Sequence, residues 1–456
     1  MLYSILKRVI KIFLKAFFRS FDVLGEENIP AKGPVIYVAN HPSAVIDPIA
    51  IAVSLKDKLY FLAGEEYFGK GLQARIFKKE FNMIPVARPW LKKDKKVSNI
   101  DMFQKCFESL AEGKSILLFP EASSITVSKI RELKTGAIRI KLGFEKMMDQ
   151  TVPIVPIGLN FSNAHEFQSR LLVKIGEPIQ FKPENNSTEP AEVYREKSKE
   201  IQQAMSECIV NIENDANEGI VKRINRLFIN IFLSANNVSP GDRIANFKFA
   251  QSVANAVTYF ESADHEKIEP VKNRINHYFD KLKDLGVSND FIENNGNSSF
   301  SLFKIIGFTL GLLLHSLGVI YYFLPYQLSE FIYKKVIQPK LKTDNREGIE
   351  YENQFTGTMM FGMGVFIYIL WTLISSITIG YMFTNWSLAL MVFILAYPML
   401  RFNLYFARLV YRAWYTIKSV IVRFNNKSDW KSLVQERTEL IDTLKEYQSR
   451  YDSINQ

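Results

Sequence analysis

The chain has 456 residues, enough for two or three domains, and its 57 Lys+Arg against 47 Asp+Glu give a formal charge of +10. That excess suits nucleic acid, an anionic membrane face or phosphorylated substrates, and 35 Phe and 20 Tyr beside long apolar runs turn it towards lipid. The two cysteines, Cys106 and Cys208, lie in no Cys-x-x-Cys or zinc-like pattern, which argues against a structural metal or a disulfide framework.

Residues 1–21 read MLYSILKRVIKIFLKAFFRSF. Lys7, Arg8, Lys11, Lys15 and Arg19 interrupt the apolar core that a secretory signal needs. Leu2, Ile5, Leu6, Val9, Ile10, Phe13, Leu14, Phe17 and Phe21 recur at helical spacing with the cations mostly between them, as in a helix lying in a membrane interface. Packing on its own domain is the competing arrangement.

Residues 22–185 alternate short apolar runs with helical patterns, which predicts an α/β domain. Expected strands are 34–39, 58–63, 83–87, 115–119, 152–161 and 171–176. Between them, Ile100, Phe103, Phe107 and Leu110 share one helical face, and KTGAIRIKLGFEKMM reads as a second helix. The polar, turn-rich stretch KPENNSTEP (182–190) is a linker. Residues 191–295 are helical and mixed in charge, with no motif.

The C-terminal part is built from apolar runs. The first, within 302–338, holds the uncharged stretch Ile305–Leu324, long enough to span a bilayer, with His315 in its middle. For that histidine an interhelical hydrogen bond is expected. Two further runs within 355–402, separated by a few residues, predict a transmembrane hairpin, followed by a basic tail over 403–456. The positive-inside rule places that tail and the basic loop after the first run in the cytoplasm. If the α/β domain is also cytoplasmic, the first run must re-enter, lie in plane, or turn back near Pro325. Membrane lipids are thus expected partners. Nucleic acid is not, since no basic helix or aromatic nucleic-acid module accompanies the charge.

Four segments of the α/β domain carry the chemistry: NHPSAVIDP (40–48), NMIPVARPW with Arg88, LLFPEASS with Glu121 followed by LKTG (133–136), and VPIVPIGLNF. Three of them put a polar group at or just beyond a strand's C-terminal end, where ligands bind in open α/β sheets. His41 with Asp47 is either a general base and its orienting carboxylate or a turn followed by a helix start. On a continuous helix six positions turn them about 240° apart, so they meet only if His41-Pro42 turns and Asp47 caps a helix starting at Pro48. Arg88 and Lys134 suit a phosphate. None of Ser43, Ser123 and Ser124 lies in a Gly-x-Ser-x-Gly elbow, which disfavours an acyl-enzyme.

In these four motifs, residues 20–185 resemble the glycerophospholipid acyltransferases, including the 1-acylglycerol-3-phosphate and glycerol-3-phosphate enzymes. The resemblance implies an acyltransferase-type α/β domain with a mixed sheet flanked by helices, here followed by a helical region and transmembrane helices. It implies His41 as general base, Asp47 as its partner, Arg88 on the acceptor's phosphate, and Phe119, Pro120 and Glu121 as the third motif, with Ser124 and Lys134 as further substrate contacts. The expected reaction moves an acyl group from coenzyme A or acyl carrier protein to a glycerol-3-phosphate or 1-acylglycerol-3-phosphate hydroxyl, without metal or resident cofactor, in an integral membrane protein whose catalytic domain is cytoplasmic. Alternatives are another lysophospholipid or aminolipid acceptor, or a non-catalytic lipid-binding protein. Two departures stand out: five residues rather than four between His41 and Asp47, and Ala122 and Ser124 where the family usually has Gly and often Arg.

Overall fold

The structure is a computed structural model describing residues 2–65, 82–87, 99–182, 189–294, 302–343 and 351–454. It divides into two compact units, one of residues 1–211 with 331–365, the other of 212–330 with 366–456.

In the first unit the described residues form a seven-stranded sheet: β1 (Ser20–Leu24), β2 (Ile36–Ala39), β3 (Leu59–Gly64), β4 (Met83–Val86), β5 (Ser115–Leu118), β6 (Ile154–Phe161) and β7 (Arg170–Ile175). Its order is β1-β7-β6-β2-β5-β3-β4, and every pairing is parallel except β6 with β7, so the sheet is mixed. All four residues of β2 are buried because helices cover both faces. Tyr37 and Ala39 point into one core, with Leu14, Phe17, Ile46 and Ile51 from α1 (Leu2–Phe17) and α2 (Ile46–Ser54). Ile36 and Val38 point into the other, with Cys106, Ile138 and Ile201 from α3 (Ile100–Ala111), α4 (Gly136–Met148) and α5 (Pro190–Ser206).

Several expectations change at the edges. β1 is unanticipated: as an edge strand with all five residues half-buried, it shows neither alternation nor a continuous apolar run. It takes Phe21 out of the N-terminal helix, which ends at Phe17. The C-terminal end of α1 packs on its own domain, with Leu14, Ala16 and Phe17 buried, while Ile5, Val9 and Ile12 stay exposed. Ile100, expected on the apolar face of α3, is 71% exposed at the helix start. Residues 190–211 belong with the sheet rather than with the helical region. Asn160 Nδ2 donates to Cys208 O at 3.0 Å and Val210 N to Asn160 Oδ1 at 2.9 Å.

The second unit contains α6 (Glu218–Ala235), α7 (Arg243–Ala263), α8 (His265–Leu285), α9 (Asn289–Glu293) and, after the apolar helices, α14 (Lys427–Ile454). The basic tail expected over 403–456 comprises the end of the preceding helix and this last one, in which Leu433, Leu440 and Leu444 are buried and Glu439 pairs with Arg274 at 2.9 Å. Among the described residues, three helices are long and apolar enough to cross a membrane. They lie within α10 (Leu302–Ile332, continued by a π turn to Ile337 and by α11, Gln338–Thr343), α12 (Tyr351–Met382) and α13 (Trp386–Asn425). α10 passes Pro325 unbroken, so the turn back there is not taken. α13 has 40 residues, about 60 Å, twice a bilayer core, so it extends well beyond the hairpin's expected end at 402. His315 lies against the Phe406 ring, centroids 5.4 Å apart, and no hydrogen bond reaches its buried Nδ1 among the described residues.

Candidate active site

The site forms at the C-terminal edge of β2 and β5. Asn40 anchors the end of β2 to β6: its Nδ2 donates to Leu159 O at 3.1 Å and its Oδ1 accepts Leu159 N at 2.7 Å. The chain then turns sharply, with Ala44 at φ 43°, and α2 starts at Ile46, two residues before the expected Pro48. Asp47 therefore lies inside the first turn of α2, where a carboxylate suits the helix dipole, and does not cap it. Its Oδ2 reaches back to two donors, His41 Nδ1 at 2.7 Å and Ser43 N at 2.7 Å. The turn supplies the bend that a continuous helix forbids.

Asp47 is fully buried, and burial pushes its carboxyl up, against the opposing pull of the His41 ring and the Ser43 N–H. Its Oδ1 has no hydrogen-bond partner among the described residues. The His41 side chain is 19% exposed and stacks on Phe119, centroids 4.1 Å apart and planes at 15°. With Nδ1 committed to Asp47, Nε2 carries no hydrogen bond among the described residues and is the nitrogen left to accept a proton.

The third motif grips this turn at four points. Glu121 Oε2 accepts His41 N at 3.3 Å, Ile125 N donates to His41 O at 3.0 Å, Thr126 Oγ1 to Pro42 O at 2.7 Å, and Ala44 N to Ser124 Oγ at 2.9 Å. Glu121 and Ser124 thus act on the first motif's backbone. The Glu121 side chain is 2% exposed and paired to Arg131 at 2.9 Å, and Arg131 also holds Ser123 Oγ at 2.9 Å and Ser123 O. Nothing in the local pattern marks Arg131, ten residues on; the one signal is that a buried carboxylate at a strand end needs a cation. Ala122 has φ 65°, the conformation glycine adopts freely. Lys134 is exposed at this edge, and its N–H bonds Pro120 O at 2.8 Å. Arg88 lies outside the described residues. Ser43 Oγ donates to Ala164 O at 3.1 Å, so that hydroxyl is committed to backbone.

One other cluster offers metal-type ligands within 4.8 Å of one another, Glu261, His265 and Glu269, but Lys272 bridges both carboxylates and accounts for it as an ion-pair network.

A buried carboxylate against a partly exposed imidazole can work as a general base, and residues 20–160 match the family model for Acyltransferase. Those residues are similar to an acyltransferase domain. Glycerol-3-phosphate O-acyltransferase 1 of Saccharomyces cerevisiae is 29% identical over 143 residues, 30% of this chain; the chain spans only 19% of that curated relative's length. Among solved structures, the 1-acyl-sn-glycerophosphate (LPA) acyltransferase PlsC of Thermotoga maritima is 23% identical, over 44% of this chain and 78% of its own, with a TM-score of 0.31. The fold assignment rests on the mixed sheet itself.

Proposed function

We propose that the chain is a membrane-bound O-acyltransferase of glycerophospholipid synthesis. It moves a fatty acyl group from coenzyme A or acyl carrier protein to the hydroxyl of glycerol-3-phosphate or 1-acylglycerol-3-phosphate. The observation that carries this reading is the His41–Asp47 pair, its Nδ1 side tied down at 2.7 Å, at the strand edge of an acyltransferase domain.

Nε2 of His41 takes the proton of the acceptor hydroxyl while Asp47 holds the tautomer and stabilises the imidazolium. The alkoxide attacks the thioester carbonyl, the C–O bond forms as the C–S bond breaks, and the imidazolium returns its proton to the departing thiolate. No serine is acylated, a route supported by the commitment of the Ser43 hydroxyl to Ala164 O. Arg88 and Lys134 take the acceptor's phosphate. The three apolar helices support the membrane setting, and Lys334, Lys335 and Lys340, which belong to the same compact unit as the sheet, favour a cytoplasmic catalytic domain with the first apolar helix re-entrant or in plane.

The test offers labelled acyl donor to purified membranes with glycerol-3-phosphate or 1-acylglycerol-3-phosphate, for wild type and His41→Ala. Product with one acceptor, lost in His41→Ala at unchanged membrane content, is expected. Turnover retained without His41 removes it as the base.

A further inference from the structure

The family match ends at residue 160, yet the turn holding the base is contacted from a segment some two hundred residues further along the chain. Residues 331–365 belong to the same compact unit as the sheet, and Phe355–Met382 is one of the spans able to cross a membrane. Near the start of that span, Thr358 Oγ1 donates to Ser43 O at 3.3 Å. Gly357 sits so close that a Cβ there would lie 2.6 Å from Ala164 O and 3.4 Å from Ser43 Oγ. Phe361, one turn on, is buried against Phe17, with ring centroids 5.4 Å apart.

Ser43 is the pivot of the turn. Its N–H donates to Asp47 Oδ2, its hydroxyl to Ala164 O, and its carbonyl accepts both Ile46 N at 3.1 Å and Thr358 Oγ1. A shift of the Ser43 peptide therefore changes the second donor on the carboxylate that orients His41.

We propose that the start of α12 is a working part of the site, in which Thr358 and the absent side chain of Gly357 position the Ser43–Asp47 turn and couple the membrane helix to the base. This rests on the acyltransferase reading, and Thr358 and Gly357 are positioning residues, remote from the reacting atoms.

Full-length Thr358→Val, Thr358→Ser, Gly357→Leu and Gly362→Leu are compared with wild type in phosphatidylcholine–phosphatidylglycerol vesicles. Acyl transfer is measured alongside amide hydrogen exchange of residues 43–47. Thr358→Val lowers kcat about fivefold, the loss of one ordinary hydrogen bond, with both KM values within about twofold. Thr358→Ser restores it. Gly357→Leu loses at least tenfold, about 1.4 kcal/mol, whereas Gly362→Leu, whose Cβ meets nothing within 4 Å, turns over normally. Exchange at 43–47 rises in the two impaired variants only. Thr358→Val with wild-type kcat and unchanged exchange overturns the proposal, even if Gly357→Leu fails to fold. A wild type inactive on every acceptor sinks the enzymatic reading alone, because exchange still decides the coupling.

Discussion

Asp47→Asn separates orientation from charge at the base. Asp47 Oδ2 receives two donors at 2.7 Å, each short enough for the charge-assisted class worth about 1.5–3 kcal/mol. An asparagine can keep both only if its amide oxygen takes the Oδ2 position. The Ser43 N–H enforces that choice, because a flipped NH2 would face two donors. The tautomer is thus retained and Nε2 stays free to accept a proton. What is lost is the full negative charge beneath the forming imidazolium, roughly half of each bond's worth, about 1.5–3 kcal/mol in total. The expected fall in kcat is therefore about 10- to 150-fold, with the acceptor and donor KM within about twofold. A protein without the Ser43 donor would let the amide flip and lose about 10⁴-fold through the wrong tautomer. The assay is steady-state acyl transfer by purified membranes with a labelled donor. A kcat within about threefold of wild type, in folded protein, refutes Asp47 as the partner that stabilises charge on His41.

Arg131→Gln leaves the Glu121 carboxylate buried without its cation and destabilises the domain by ~2–4 kcal/mol, less than for a sealed pair because Arg131 keeps a solvent edge. Adding Glu121→Gln recovers most of that in thermal unfolding; a double variant no better than the single refutes the pairing. Ala122→Gly relieves the left-handed backbone at φ 65° and raises stability by up to ~1 kcal/mol, read as a higher Tm; a lower Tm shows the turn unstrained. Leu14→Ala, at a residue with no exposed surface, costs ~2–5 kcal/mol of α/β stability. An unchanged unfolding midpoint assigns α1 wholly to the bilayer instead.

The sheet was legible wherever burial is two-sided. β2, β5 and β6 read as apolar runs because helices cover both their faces. β1 did not, since a half-buried edge strand ending in Asp-Val-Leu has no period to detect. The chemistry of His41 and Asp47 was legible as residue types, but their meeting depended on a turn with Ala44 at φ 43°, which no apolar pattern reports. Glu121 and Ser124 were recognisable as motif residues, yet their observed work is on backbone groups of residues 41 and 44. Backbone donors have no letter in the sequence, so that division of labour was hidden. Arg131 was invisible for the same reason that it matters: its partner is fixed by tertiary contact across ten residues of irregular chain.

The compact unit that holds the sheet is consequently larger than the segment that matches the family model. Leu14, Phe17 and Phe18 precede the family match, Phe361 lies far beyond it, and all four have under a tenth of their surface exposed within one core that also holds Tyr37 and Ile46. Ile46 begins the helix that carries Asp47, so the apolar contacts of α1 and α12 and the polar contacts of the base converge on one turn. Residues 20–160 on their own would expose the surfaces that those pieces bury, and the turn would lose Thr358 from one side while keeping the third motif on the other. On the proposed reading, membrane attachment and catalytic geometry depend on the same packing, since the helix that can enter the bilayer also supplies a wall of the Ser43–Asp47 turn.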